Sequence, residues 1–485
     1  MELRDKKITV VGLMRSGIAA ANLLAEFGAD VTITDKKTLE ELSESVKQLS
    51  PVIKLSLGGH PGHIFESADL IVISPGVPMD IAPLKLAEDR GVRIIGELEL
   101  SYQIICSLTA SHGKSNTEFL AITGTNGKST TTALLGLMVR NAGFRAVVGG
   151  NIGNALTGEV MHAINEKSAG APDLSTSLSP FDADYIVAEV SSYQLESIQD
   201  FRPKVSAILN VTPDHLDRYH TLEKYGDAKA RIFENQTKND YLVINADDPE
   251  TMRIYGAKQE AQNLNSPHVV FFSREREVEG LYLKDGLIRC NLPELNMAGS
   301  HFNLDPSSFR IKGVHNLENA MAASAMALLA GCNFRAVEKT LSEFPGLEHR
   351  LEFVREHNGV RYFNDSKGTN VGAVIKSLDS FSDPVILIAG GRDKAGDFFQ
   401  LRELVRERVK TLVLIGEARE KIRKALGDLT KTIFAENLSD AVYAARNSGE
   451  KGDVVLLSPA CASFDMFTDF EDRGRQFKEI VRGMA

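Results

Sequence analysis

A lysine followed by a hydroxyl closes the short glycine run Gly124-Thr125-Asn126-Gly127-Lys128-Ser129-Thr130, and that combination handles phosphate. Glycines let the backbone wrap around an anion with successive N–H groups turned inward, and a helix starting there adds the positive end of its dipole. Lys128 would reach the β- and γ-phosphates of a nucleotide, and Ser129 would offer its hydroxyl to Mg²⁺. The run is shorter than the general pattern G-x-x-x-x-G-K-[ST], because Ile122 stands where the first glycine would be. Its context is right. Apolar Phe119, Leu120, Ala121 and Ile122 read as a buried strand, and residues 130–135 suit the first turns of a helix. A second G-K-S, at Gly113-Lys114-Ser115, has neither neighbour and reads as a solvated loop.

Other groups could serve the same chemistry. Glu189 ends the apolar run 185–190, where a carboxylate is placed to hold Mg²⁺, a cation that prefers hard oxygen ligands. A surface acid or a helix N-terminal charge has an equal claim on that position. Asp214 and His215 also follow a strand and could face the same phosphates, although a histidine without such neighbours is more often structural. Lys229 falls on a predicted helix, where a surface lysine is the default. In the last third, three strand ends are loaded with polar groups: Asn364-Asp365-Ser366-Lys367-Gly368-Thr369-Asn370, Ala389-Gly390-Gly391-Arg392-Asp393-Lys394 and Ser458-Pro459-Ala460-Cys461-Ala462-Ser463. A core needs no such loading, so these ends read as a polar ligand site.

The elements that must position these groups repeat one theme. Residues 7–11 form an apolar strand, 12–17 a glycine-bounded turn, 18–27 a helix stopped by Gly28, and 31–34 the next strand. That is the opening of a doubly wound nucleotide-binding domain. Met14 stands where the dinucleotide fingerprint G-x-G-x-x-G has its middle glycine, which disfavours a nicotinamide cofactor. The strand at 69–74 ends in Pro75-Gly76, so Ser74, Pro75 and Gly76 should line the crevice at the carboxyl ends of the strands. The pattern weakens over 97–116, with residues 107–117 reading as a loop, and residues 168–180 as an exposed insertion. Residues 257–312 read as short strands and turns, 316–329 as an alanine-rich helix, and a break follows at Phe344-Pro345-Gly346. Strands at 360–364, 384–389, 411–415 and 453–457 then form a third parallel α/β unit. The fold class is α/β, with Rossmann-like domains at 1–106 and 347–485 flanking a phosphate-loop domain at 107–346.

Bulk composition agrees. At 485 residues the chain exceeds one core. A net charge of −10 argues against a general nucleic-acid or anionic-membrane binder. Cys106, Cys290, Cys332 and Cys461 are too scattered for a zinc site, and with no apolar leader or spanning segment the expected compartment is the cytoplasm.

Taken together, the run 124–130, Glu189-Val190-Ser191-Ser192, Asp214-His215-Leu216-Asp217, His315-Asn316-x-x-Asn319 and Gly346-Leu347-Glu348-His349-Arg350 resemble the ATP-dependent Mur ligases of peptidoglycan synthesis. Folylpolyglutamate synthase shares a looser version. The segments 191–196, 364–370 and 457–463 are similar to the branch of the family that adds D-glutamate to UDP-N-acetylmuramoyl-L-alanine. Gly368 departs from the alanine expected there. The resemblance implies ATP, two Mg²⁺ ions, and an acyl phosphate attacked by the amino acid's amine. It implies catalytic roles for Lys128, Glu189, His215, Lys229 and Lys367, with Ser129, Glu189, His215 and a carbamylated Lys229 around the metals. ATP would meet residues 124–130, Asn316, Asn319, Arg350 and Asp365. The UDP-linked acid would meet Ser16, Asp35, Lys36, Ser74, Pro75, Gly76, Asn151 and Ser191, and D-glutamate would meet Thr369, Lys394, Ser463 and Phe470. A monomer acting on small molecules is expected. A nicotinamide-dependent oxidoreductase would leave Lys128 and Ser129 unexplained, a non-catalytic nucleotide binder would not need Glu189 and Lys229, and a sister ligase would differ around Asp365-Ser366-Lys367.

Overall fold

The computed structural model describes residues 1–110, 117–151, 155–168, 182–261, 266–292, 302–394 and 396–484. The G-K-S at 113–115 and the insertion read at 168–180 lie outside these, apart from Ser168 at a helix end. The chain forms two compact units. One comprises Met1–Val211, Glu223–Pro306 and Glu318–Thr340; the other comprises Thr212–Leu222, Ser307–Leu317 and Leu341–Ala485.

The first unit holds two sheets. The smaller is fully parallel, with strands in the order Lys54–Leu57, Asp30–Asp35, Lys7–Val11, Leu70–Ile73, Arg93–Gly96, which is the doubly wound arrangement. Continuous apolar runs such as Ile71-Val72-Ile73 are buried on both faces, as parallel strands covered by helices require. The larger sheet has nine strands, seven of them parallel: Ala146–Gly150, Tyr185–Glu189, Glu118–Thr123, Val205–Ile208, Tyr241–Asn245, His268–Ser273 and Gly280–Lys284. Beyond them, Leu287–Asn291 and Asn303–Leu304 pair antiparallel. The hairpin joining the first of these turns on Asp285-Gly286, with φ of 51° and 77°. An Asp-Gly pair adopts that left-handed turn readily, a signal that could have resolved part of the region read only as short strands and turns.

The helix Glu97–Ala110 corrects the sequence reading, which saw a fading pattern here and a loop from residue 107. It also runs through residue 106, where the first domain boundary was expected. The reason is that its buried face carries acids. Glu99 is fully buried and accepts from the backbone N–H of Gln199, Asp200 and Phe201 at 2.9–3.0 Å. Glu97 accepts from the N–H and hydroxyl of Thr157 at 2.7 and 2.9 Å, and burial pushes its carboxyl above the usual range. Polar residues turned inward erase the apolar period that sequence patterning depends on.

The second unit is built on a six-stranded sheet in the order Glu352–His357, Val360–Asn364, Val454–Leu457, Val385–Gly390, Val409–Ile415, Lys431–Phe434. Its first strand is antiparallel to the second and was missed in the sequence, although Asn358-Gly359, at φ of 52° and 77°, is a hairpin turn of the same type. Apolar clusters cover both faces, one around Leu387 and Leu412 and the other around Ile386 and Phe477. No helix among the described residues is long and apolar enough to cross a membrane.

Candidate active site

The phosphate loop hangs from the strand Glu118–Thr123, between Tyr185–Glu189 and Val205–Ile208 in the larger sheet. Gly124 and Gly127 hold φ of 149° and 85°, conformations that side chains rarely adopt. A Cβ at Gly127 would also collide with the amide oxygen of Asn319. The helix Lys128–Asn141 starts directly on Gly127, so its unpaired first-turn end points at the loop. Asn210 does the pinning. Its carbonyl accepts from Thr125 N–H at 2.9 Å, and its side chain bonds the N–H and C=O of Asn126 at 2.9 and 3.1 Å. Sequence reasoning passed over Asn210, whose one signal is its place at the end of a strand.

Two lysines converge on this loop. Lys128 Nζ donates to the carbonyls of Gly124 and Thr125, each at 2.9 Å, and Lys229 Nζ donates to the same Gly124 carbonyl at 2.9 Å. Lys229 is 1% exposed and lies 4.3 Å from the centre of the Tyr225 ring, so the surface reading of this residue is wrong. Glu189 pairs in register with Ile122, two residues before Gly124. One carboxylate oxygen accepts from Asn151 Nδ2 at 2.9 Å, while the other is buried without a partner. Ser129 and Thr130 are buried beneath the loop. Asn319 packs beside it, accepting from the Thr131 hydroxyl at 3.3 Å. Ser191 caps the next short helix in a reciprocal box with Gln194.

In the smaller sheet, Asp35 accepts from Leu13 N–H at 2.8 Å and Lys37 N–H at 2.9 Å, and Ser74 donates to the Gly12 carbonyl at 3.1 Å. A Cβ on Gly17 would strike that carbonyl. The partial fingerprint therefore serves the packing of its own turn. Ser16 and Pro75 are half-buried at this edge, and Lys36 and Gly76 are exposed.

The second unit brings its three polar strand ends together. Asn364 pairs in register with Leu457, and Leu457 with Ile388. Ala460 N–H donates to the Gly368 carbonyl at 2.8 Å, Gly390 N–H to Pro459 at 2.9 Å, and Arg392 bridges Ala462. Lys367 Nζ sits 3.7 Å from the centre of the Phe470 ring. Thr369 is half-buried, Ser463 is buried and Lys394 is exposed. His215, at φ 54°, has its Nε2 3.8 Å from Asp214, which accepts from Asn370 at 3.4 Å. Asn316 donates to Lys312. His315 is pushed down to about 4 by burial, with Lys376 and Arg350 adding repulsion.

Asp365 faces inward. Its carboxylate accepts from Ser377 and Ser458 hydroxyls, each at 2.7 Å, and from Leu351 N–H at 3.3 Å. A Cβ on residue 368 would lie 2.5 Å from Asp365 Oδ2 and 2.6 Å from Ser458 Oγ, which accounts for glycine there. Contact with a ribose would require this carboxylate to turn out of that nest. Burial raises its pKa from 3.8 to about 6. The protonated form is thus favoured in the fold, and the contribution to stability is complete below pH 3.8 and lost as pH rises through about 6. Relative to Asp365→Asn, the wild-type protein should lose on the order of 3 kcal/mol across that window. Denaturant midpoints of the two proteins against pH check it; parallel curves would contradict the buried carboxylate.

The sequence matches the Mur ligase MurD-like N-terminal domain over residues 6–96, the Mur ligase middle domain over 122–327, and the Mur ligase glutamate ligase domain over 349–461. It is 48% identical to the UDP-N-acetylmuramoylalanine–D-glutamate ligase of Geotalea uraniireducens and 46% to that of Geotalea daltonii, each time over 100% of this chain and 99% of the relative. The chain belongs to the Mur ligase family. Among solved structures, this Mur ligase shares its fold with MurF of Acinetobacter baumannii (TM-score 0.59, 17% identity, 93% and 90% of the two chains). It shares it equally with UDP-N-acetylmuramate-alanine ligase MurC of Thermotoga maritima (0.57, 19%, 98% and 99%). As a Mur ligase it is an ATP-dependent enzyme that forms amide bonds.

Mur ligases depend on Mg²⁺. The unpartnered oxygen of buried Glu189, in register with Ile122 two residues before the loop that carries Ser129, fits a hard cation. Bound there, Mg²⁺ would neutralise charge on the nucleotide's phosphates.

Proposed function

We propose that this Mur ligase adds D-glutamate to UDP-N-acetylmuramoyl-L-alanine in peptidoglycan precursor synthesis. The observation that carries the choice of amino acid is the full-length likeness, at 46–48% identity, to two relatives named for that reaction. The reaction begins when an oxygen of the alanine carboxylate attacks the γ-phosphorus of ATP and ADP leaves. The amine of D-glutamate then attacks the carbonyl carbon of the acyl phosphate, inorganic phosphate is expelled with the C–O electron pair, and the new amide nitrogen loses its proton.

Phosphoryl transfer asks mainly for positioning and charge neutralisation. Lys128 swings from the loop carbonyls to the β- and γ-phosphates, and residues 124–130 cradle them. Ser129 and Glu189 would hold one Mg²⁺, and His215 and a carbamylated Lys229 would each serve a second. The burial of Lys229 supports that modification, because a buried carbamate anion would find its counter-charge in the metals. Asn316, Asn319, Arg350 and Asp365 serve ATP, and Lys367 the transferred phosphate. Ser16, Asp35, Lys36, Ser74, Pro75, Gly76, Asn151 and Ser191 serve the UDP-linked acid; Thr369, Lys394, Ser463 and Phe470 serve D-glutamate. Residues 1–106, 107–346 and 347–485 take the three reactants in turn, in a monomer.

The test is ADP and phosphate release with the UDP-linked acid and each of D-glutamate, L-glutamate, L-alanine and lysine. Turnover with D-glutamate alone is expected; equal or better turnover with another amino acid would overturn the assignment.

A further inference from the structure

Among the described residues the largest fully buried side chain is a cation: Arg473, with no exposed surface, on the helix Phe470–Gly483. Its Nε donates to the Ser366 hydroxyl at 2.9 Å and its Nη2 to the Ser366 carbonyl at 2.7 Å. Both Nη atoms also reach the Cys461 carbonyl, at 3.3 Å each. The Ser366 hydroxyl in turn donates to the Phe470 carbonyl at 2.8 Å. Among the described residues no carboxylate forms an ion pair with this guanidinium.

Burying a charge with no carboxylate in direct contact is costly: burial pulls the guanidinium pKa down to about 10, even with Asp465 and Asp365 acting in the opposite direction. An apolar residue could fill the same volume without that cost. What it could not do is bridge. The guanidinium presents five N–H donors in a rigid plane, so one side chain spans two separate loops and its own helix end. Those three segments carry Lys367 next to Ser366, Ser463 two residues after Cys461, and Phe470 one turn before Arg473.

We propose that Arg473 is a positioning residue for the incoming amino acid, setting the relative places of Lys367, Ser463 and Phe470 by clamping their three segments together. The inference rests on the reading above that Ser463 and Phe470 meet the amino acid and Lys367 the phosphate it displaces. Arg473 touches no reactant; it acts through the loops. Lys478, further along the same helix, binds Glu348 and Glu352 and so fixes the helix independently, which lets the clamp be altered without releasing the helix.

The experiment compares wild type with Arg473→Lys, Arg473→Ala and Ser366→Ala. Lysine keeps the charge but cannot bridge, so Arg473→Lys should raise KM for the amino acid about tenfold or more while KM for ATP stays within about twofold. Added guanidinium at sub-denaturing concentration should restore part of that loss in Arg473→Ala, and urea at the same concentration should not. Ser366→Ala, a smaller change that removes one arm of the clamp, should move the same constant in the same direction. Unchanged KM for the amino acid, or KM for both reactants rising together without guanidinium rescue, would overturn the proposal. The amino acid used is whichever one wild type ligates, so a failure of D-glutamate and a failure of the clamp show separately.

Discussion

Lys128→Ala should release phosphate at less than about a thousandth of the wild-type rate, because preorganised charge at a transferring phosphoryl group contributes roughly that much. In the structure its ammonium rests on the carbonyls of Gly124 and Thr125, already inside the loop proposed to hold the nucleotide. Only the side-chain tip would have to move, from two neutral acceptors to anionic phosphate oxygens, which are the stronger partners. The residue is half-buried and its removal opens no core cavity, so melting should barely change. That separation makes the outcome readable. Near-normal turnover in a folded Lys128→Ala protein would remove the loop from the chemistry, whereas loss of turnover with an intact melt would leave charge as the cause.

The second large effect is expected at Lys229. Lys229→Ala should be nearly inactive and should recover activity when a short carboxylate such as acetate or formate is added. Deleting a fully buried side chain leaves a cavity. A small anion entering it would place oxygens where the carbamate is proposed to have them. Lys229→Met, which fills the volume but brings neither charge nor oxygen, should stay inactive with or without acetate. Phosphate release across a carboxylate titration is the measurement. A fully active Lys229→Ala protein would exclude the carbamate, and rescue of the methionine variant would show that the added anion acts elsewhere. Both variants also lose the hydrogen bond to the Gly124 carbonyl, so any remaining activity reports how far the loop depends on it.

The residues that were easiest to read in the sequence share a physical trait: their meaning is local. The strands Lys7–Val11 and Tyr241–Asn245 lie where their apolar runs put them, because a buried parallel strand must be apolar on both faces. The turn from Gly124 to Ser129 is likewise written in a few consecutive positions, since left-handed backbone and helix initiation are properties of the residues themselves. Glu97–Ala110 failed that reading because its acids are satisfied by partners about sixty and a hundred residues away. The two antiparallel hairpins were missed for a simpler reason. Their Asp-Gly and Asn-Gly turns were in view, but the flanking strands are short and partly exposed, so apolar patterning is faint.

By itself the amino-acid sequence determined the class of fold, the phosphate loop, the family and the list of groups worth weighing. The tertiary structure alone decided what surrounds those groups. It took Lys229 from the surface to the interior, left one oxygen of Glu189 without a partner, turned Asp365 inward beneath a glycine, and gave Arg473 a bridge to hold. Burial and hydrogen-bond partnership are set by strands and loops far apart in the chain, and no window of neighbouring residues contains them.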